Sequence, residues 1–125
     1  MLIKEIMQQP IIQIKPNASI EDAMQKMLTK RVTSLLIEEK AIITRKDIIN
    51  QVIALNHDPK KTMVSQVMSQ PLLTIPAATS HDKCAKIMKK TGLKHLPLTE
   101  ENKIIGIITS SEIMKAEWGK NLDES

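Results

Sequence analysis

The apolar residues of this chain alternate between two kinds of spacing. Between Ile20 and Leu28 they recur every three or four residues, which predicts an amphipathic helix. Short apolar runs at 34–37 and 41–43 predict two strands joined by a tight turn, and the brief run at 11–14 favours a further strand. Helical spacing returns between Arg45 and Leu55. The first half therefore reads strand, helix, strand, strand, helix.

The same order returns in the second half. An offset of 61 carries three marker residues of the first half, Met7, Pro10 and Ser19, onto Met68, Pro71 and Ser80. After the predicted hairpin the offset becomes 65, so the first hairpin should be the shorter one. We interpret 1–58 and 59–125 as two repeats. Neither repeat is large enough to bury its own apolar faces, which predicts an α/β (α+β) fold of two β-α-β-β-α repeats about a pseudo-two-fold axis. Two equivalent clefts would lie between them.

Composition narrows the class of protein. The chain is 42% hydrophobic and 26% charged, which is typical of a globular domain. Phe and Tyr are absent and Trp occurs once, so the core must be aliphatic and base-stacking surfaces are missing. A net charge of +4 with scattered Lys residues is too mild to predict nucleic-acid binding.

The single cysteine, Cys84, excludes an intramolecular disulfide and favours a reducing cytoplasm. No apolar run approaches the length of a membrane span, and no signal peptide is apparent. We therefore predict a cytoplasmic protein that does not enter a membrane.

The most informative candidate motif is Thr-x-x-acid, which occurs as Thr44 to Asp47 and as Thr109 to Glu112. Each copy ends a predicted strand and begins a helix, so a hydroxyl, free N–H groups and a carboxylate come together. Such a set can bind phosphate and the hydroxyls of a ribose. The same spacing is also that of a helix-capping box, and both interpretations stay open. A solvated helix face is the favoured interpretation of the exposed basic pairs, and Arg45 is the best placed of these residues for phosphate contact because it adjoins Thr44 at a helix start.

Metal binding and catalysis have little support. His81, Cys84 and His95 offer ligand atoms, but the spacings of structural zinc sites are absent, so no metal is predicted. The three glycines form no phosphate loop, and no nucleophile, base and acid recommend themselves. We therefore predict that the chain is not an enzyme and requires no cofactor.

The ordered motifs resemble those of the cystathionine β-synthase-type (CBS) domain. They are Met-x-x-Pro, a short strand, a Ser-capped helix that ends in Met, the stretch from Gly92 to Leu98, and the stretch from Gly106 to Glu112. The resemblance spans about Ile3 to Trp118 and occurs twice, like a paired CBS module. It implies a regulatory module that binds AMP, ADP, ATP or S-adenosylmethionine between the repeats and signals to an effector protein in trans.

The resemblance also implies roles for individual residues. Asp47 would hold the ribose and Thr44 the phosphate, and the second site would use Thr109 and Glu112. Glu112 replaces the usual Asp, and its extra methylene crowds the ribose, so the first site is favoured. The remaining residues implied for the first site are those near the base, Ile11, Ile12, Ser34 and Leu36, and those facing the phosphates, Lys94 and His95.

A different class of function is open as well. The chain would then be a ligand-free structural module whose purpose is dimerisation. Under either hypothesis we predict a homodimer, because 48–55 and 113–118 carry more apolar positions than one core needs. Trp118, the only aromatic residue, is predicted to be partly buried.

Overall fold

The computed structural model describes the backbone of residues 1–123 and the side chains of residues 1–119. Its elements alternate as the sequence pattern predicts. In chain order they are a 3₁₀ turn Ile3–Glu5, α1 Ile20–Lys30, β1 Ser34–Ile37, β2 Ala41–Thr44, α2 Arg45–Ile48 with a π-helical continuation Ile49–Ile53, a 3₁₀ turn Val64–Gln66, β3 Ile75–Pro76, α3 His81–Thr91, β4 His95–Glu100, β5 Lys103–Thr109 and α4 Ser110–Asp123.

These elements form two compact units that do not coincide with the sequence repeats 1–58 and 59–125. One unit is Ile12–Leu72, and the other joins Met1–Ile11 to Leu73–Ser125. The opening segment of each repeat is hydrogen-bonded into the unit built mainly from the other repeat. The backbone N–H of Ile3 donates to the carbonyl of Thr79 (2.9 Å), and that of Val64 donates to the carbonyl of Ala18 (2.9 Å).

In the unit Ile12–Leu72, helix α1 packs on the β1–β2 hairpin. Ser19 caps α1 as its position predicts, because its Oγ accepts a hydrogen bond from the backbone N–H of Asp22 (3.0 Å). The core is aliphatic and is formed by buried residues of α1, both strands and the segments that follow, including Ile20, Ala23, Leu35, Ile43, Val52 and Val64.

The predicted strand at 11–14 is reduced to one bridge. Gln13 pairs with Leu36 in parallel orientation, and no longer ladder forms there. Pro10 and Pro16 flank the run and carry no N–H groups, which limits the hydrogen bonds that the segment can add to a sheet.

The helix predicted from Arg45 to Leu55 changes its winding after Ile48. The segment Ile49–Ile53 is π-helical, with a wider turn than an α-helix. Ile48 and Val52 face the core, whereas Ile49 and Ile53 remain about half exposed. Part of the apolar surplus predicted for this helix is therefore solvent-facing in the single chain.

The other unit contains a three-stranded sheet in the order β3-β4-β5. Strand β3 is parallel to β4, and β4 is antiparallel to β5. The hairpin of β4 and β5 is longer than that of β1 and β2, as the change of offset predicts. Both hairpin turns use two consecutive residues with positive φ, which are Glu38 and Glu39 in the first and Glu101 and Asn102 in the second.

The last helix, α4, leaves Trp118 exposed over 63% of its surface. The prediction that Trp118 is partly buried is thus wrong for the single chain. Ala116 is the buried residue in this part of α4, and two further residues turn the helix by about 200°, away from the core. Among the described residues, no helix has both the length and the apolar character needed to cross a lipid bilayer.

Candidate functional site

The two Thr-x-x-acid motifs occupy the same structural position in the two units. In one, Thr44 ends β2 opposite Ser34 of β1. In the other, Thr109 ends β5 opposite His95 of β4. Each motif therefore lies where the second strand of a hairpin turns into a helix.

The first helical residue is anchored in the same way in both units. The N–H of Arg45 donates to the carbonyl of Thr33 (2.9 Å), and the N–H of Ser110 donates to the carbonyl of Lys94 (3.1 Å). The start of each helix is thus fixed to the residue that precedes the first strand of its hairpin. This anchoring holds the hydroxyl and the carboxylate of each motif at a defined place.

The first motif is a complete capping box. The N–H of Thr44 donates to Oδ2 of Asp47 (2.9 Å), and the N–H of Asp47 donates to Oγ1 of Thr44 (3.2 Å). The hydroxyl of Thr44 also donates to Oδ2 of Asp47 (3.0 Å). The capping interpretation is confirmed here, and Oδ2 already accepts two hydrogen bonds.

The second motif differs from the first in having one buried carboxylate oxygen without a hydrogen-bond partner among the described residues. The hydroxyl of Thr109 donates to Oε2 of Glu112 (2.6 Å), and Thr109 is only 5% exposed. The other oxygen of Glu112, Oε1, is buried and has no hydrogen-bond partner among the described residues. Because buried polar atoms in folded proteins are nearly always paired, this acceptor is suited to a bound hydroxyl or water.

The structure distributes the other predicted residues between the units. Ile12, Ser34 and Leu36 lie in the unit of Thr44, where the N–H of Leu36 donates to the carbonyl of Ile12 (2.9 Å). Leu36 is fully buried, and Arg45 is exposed beside Thr44. Ile11, Lys94 and His95 belong to the unit of Thr109. The roles assigned to all these residues stay predictions.

The three residues weighed as metal ligands in the sequence do not form a ligand group among the described side chains. Cys84 is fully buried in the aliphatic core, and this burial raises the pKa of its thiol. His81 instead faces Glu117, 36 residues further along the chain, with its Nε2 3.1 Å from Oε2 of that residue. No spacing in the sequence indicated Glu117, because the packing of α3 on α4 creates the pair.

Comparison with known proteins finds two stretches of the chain that match one family. The family described as CBS domain matches residues 3–54 and 64–119. An uncharacterized protein of Methanocaldococcus jannaschii, MJ0450, is 31% identical over 117 residues, which are 88% of this chain. The chain spans 62% of the length of that relative, and 62% and 45% of the length of two further curated relatives.

Two solved structures are similar over nearly the whole chain. The hexameric CBS-CP12 protein from bloom-forming cyanobacteria has a TM-score of 0.87 at 28% identity, over 92% of this chain and 71% of that one. The CBS domain pair of protein MJ0100, in complex with 5′-methylthioadenosine and S-adenosyl-L-methionine, has a TM-score of 0.83 at 27% identity, over 96% and 98%. With both repeats matched and the fold shared, this chain belongs to the CBS domain family and carries two CBS domains in tandem.

Proposed function

We propose that this chain senses an adenosine-containing ligand, either AMP, ADP, ATP or S-adenosylmethionine, and passes the ligand-dependent change to a partner protein in trans. CBS pairs are in general regulatory ligand-binding modules. The similar pair of MJ0100 binds two adenosine compounds, which supports adenosine as the recognised group. The proposal includes no catalytic step and no required cofactor.

The observation that carries the proposal is the unpaired Oε1 of Glu112. A carboxylate oxygen that is removed from water without a hydrogen-bond donor destabilises the fold by about 1–3 kcal/mol or more. A ribose offers two neighbouring hydroxyl donors. One of them would satisfy Oε1, while Oε2 keeps the hydroxyl of Thr109. This arrangement supports ligand binding at the second motif, which the sequence ranked below the first.

The first motif stays a proposed site as well. Asp47 retains Oδ2 for the capping box, so a ribose hydroxyl would donate to Oδ1. Arg45 is exposed directly beside Thr44 and would pair with phosphate. Ile11, Ile12, Ser34 and Leu36 near the base, and Lys94 and His95 near phosphate, complete the proposed contacts.

Calorimetric titration with AMP, ATP and S-adenosylmethionine tests the proposal. Asp47→Asn and Glu112→Gln keep the side-chain shapes but remove the charges. Each hydrogen bond to a charged group is worth about 1.5–3 kcal/mol, so the loss of one at either motif would weaken the affinity of that site about tenfold to a hundredfold. Glu112→Asp should strengthen binding at the second motif if the extra methylene crowds the ribose.

A matched control comes from α1. Asp22 lies at the same helix position relative to Ser19 as Asp47 does relative to Thr44. Asp22→Asn should lower stability slightly and leave every ligand affinity unchanged. If Asp47→Asn and Glu112→Gln behave like this control, the carboxylates act only on the helix ends and the ligand proposal fails.

The second candidate is a ligand-free module that forms a homodimer. It is favoured by an apolar groove of about 390 Å³ beside α1 and the π-helical segment, where Leu28 is 80% exposed and Ile49 and Ile53 are about half exposed. Analytical ultracentrifugation of Ile49→Glu and Ile53→Glu tests this surface. A dimeric wild type, monomeric variants and no response to any adenosine compound would favour this candidate.

A further inference from the structure

His81 is a buried histidine whose ring has a fixed orientation. The residue is only 7% exposed. Its Nδ1 lies 3.3 Å from the carbonyl oxygen of Met1, and its backbone N–H donates to the same oxygen (2.9 Å). In the tautomer with its proton on Nδ1, the ring donates a hydrogen bond to that carbonyl oxygen. This contact leaves Nε2 as the ring atom available for another partner.

That second nitrogen faces two carboxylates. Nε2 lies 3.1 Å from Oε2 of Glu117 and 3.3 Å from Oδ1 of Asp82. In the neutral ring, the lone pair of Nε2 would repel both oxygens. In that tautomer, a metal cation between the three atoms would remove this repulsion. A single N–H cannot point well at two acceptors, whereas a metal ion can contact all three atoms.

The distances agree with a small divalent cation. In a tetrahedral zinc site with bonds of about 2.0–2.1 Å, neighbouring ligand atoms are about 3.3–3.4 Å apart. The two Nε2–oxygen distances, 3.1 and 3.3 Å, are close to this value. The Nδ1–H to carbonyl contact is also the second contact that metal-binding histidines commonly make.

We propose that His81, Asp82 and Glu117 form a zinc-type divalent metal site, with Nε2, Oδ1 and Oε2 as ligands. The side chains of Asp82 and Glu117 are 70% and 54% exposed, so the ion has access from solvent and water can complete its coordination. The exposed carboxylates can also rotate towards an ion, while the buried ring keeps its position. This site is separate from the Thr-x-x-acid motifs and does not depend on the proposed adenosine ligand.

The experiment is a competition titration of the full untagged chain with Zn²⁺ against a chromophoric chelator. We expect one ion per chain in the wild type and affinity at least tenfold weaker in Glu117→Gln. The matched control is Glu101→Gln, which removes the same charge from an exposed turn of the same unit and should bind like the wild type. Glu117 is exposed, so its replacement should not prevent folding.

Histidine-detected ¹H–¹⁵N NMR locates the ion independently. Zn²⁺ should shift the Nε2 resonance of His81 and leave Nδ1 protonated. Absence of saturable binding in the wild type, equal affinity in the two Glu→Gln variants, or an unshifted Nε2 resonance would each overturn the proposal. His81 would then be held only by its hydrogen bonds to Met1 and Glu117.

Discussion

Replacing Gly106 by alanine should destabilise the protein by about 1–2 kcal/mol. A Cβ at this position of β5 would lie 2.5 Å from Sδ of Met7 and 2.9 Å from the carbonyl oxygen of Gln8. The methionine side chain can turn away, but Gln8 is fixed. Its N–H donates to the carbonyl of Ile107 (2.7 Å), and its carbonyl accepts from the N–H of Ile107 (3.0 Å). The methyl group of an alanine at position 106 must therefore strain the hydrogen-bonded pair of Gln8 and Ile107.

The magnitude combines two opposing effects. Overpacking of this kind costs about 1–3 kcal/mol. The lower entropy of the unfolded chain returns about 0.4–1 kcal/mol when alanine replaces glycine. The net loss is measured by urea denaturation, followed by circular dichroism. A free energy of unfolding within about 0.5 kcal/mol of the wild type would refute the steric argument.

The first repeat supplies the control for this prediction. Ala41 is the matching residue, is 1% exposed, and precedes an equivalent pair between Ile42 and Ser69. The fold accommodates the methyl group of Ala41. Ala41→Gly should therefore remove buried apolar surface and raise the conformational entropy of the unfolded chain, and both effects destabilise the folded state. We expect that change to destabilise by about 1–2 kcal/mol. Opposite substitutions at matching positions should thus both lower stability.

Three further predictions concern other parts of the chain. Burial raises the pKa of Cys84 from its ordinary value of 9.0, so above about pH 9 the unfolded chain loses the thiol proton before the folded chain does. Stability should therefore fall more steeply with rising pH in the wild type than in Cys84→Ala, as measured by urea denaturation from pH 8 to 10. Glu39→Gly should raise stability by about 1 kcal/mol, because Glu39 has φ 56° and glycine adopts this conformation without strain; an unchanged urea midpoint would contradict this reason. Trp118 should emit as a solvated indole in dilute solution and shift to shorter wavelength on self-association; emission independent of protein concentration in a self-associating sample would place Trp118 outside the interface.

Local signals in the sequence were sufficient to predict most of the helices and strands. Ser19 and the apolar spacing after it define α1, and the paired apolar runs define both hairpins. The π-helical turn after Ile48 was not predictable, since a spacing of three or four residues does not specify the exact winding. The sequence also could not predict that the opening segment of each repeat joins the unit of the other repeat. The apolar pattern of such a segment is the same whichever hairpin it packs against.

The candidate sites could likewise be predicted only where they depend on residues close together in the sequence. The Thr-x-x-acid motifs are local, so their place between strand and helix could be predicted from spacing alone. The unpaired Oε1 of Glu112 could not, because burial of one atom depends on the packing around it. The cluster around His81 joins residues from three distant segments, Met1, Asp82 and Glu117, and only the folded chain brings them together.

The exchanged opening segments affect how the protein forms on the ribosome. Ile12–Leu72 is continuous, so all residues of that unit have emerged before the strands β4 and β5 of the other unit. Ile3 must wait for Ile108, its neighbour in the buried cluster of the other unit. At about 5–20 residues per second, this interval lasts about 5–20 s. During that time the strands β4 and β5, which help to bury Ile3, are not yet available. The apolar residues of Met1–Ile11 are then exposed and can bind nascent-chain chaperones. Translation that stops before β5 would release a chain in which Met1–Ile11 has no complete unit to join.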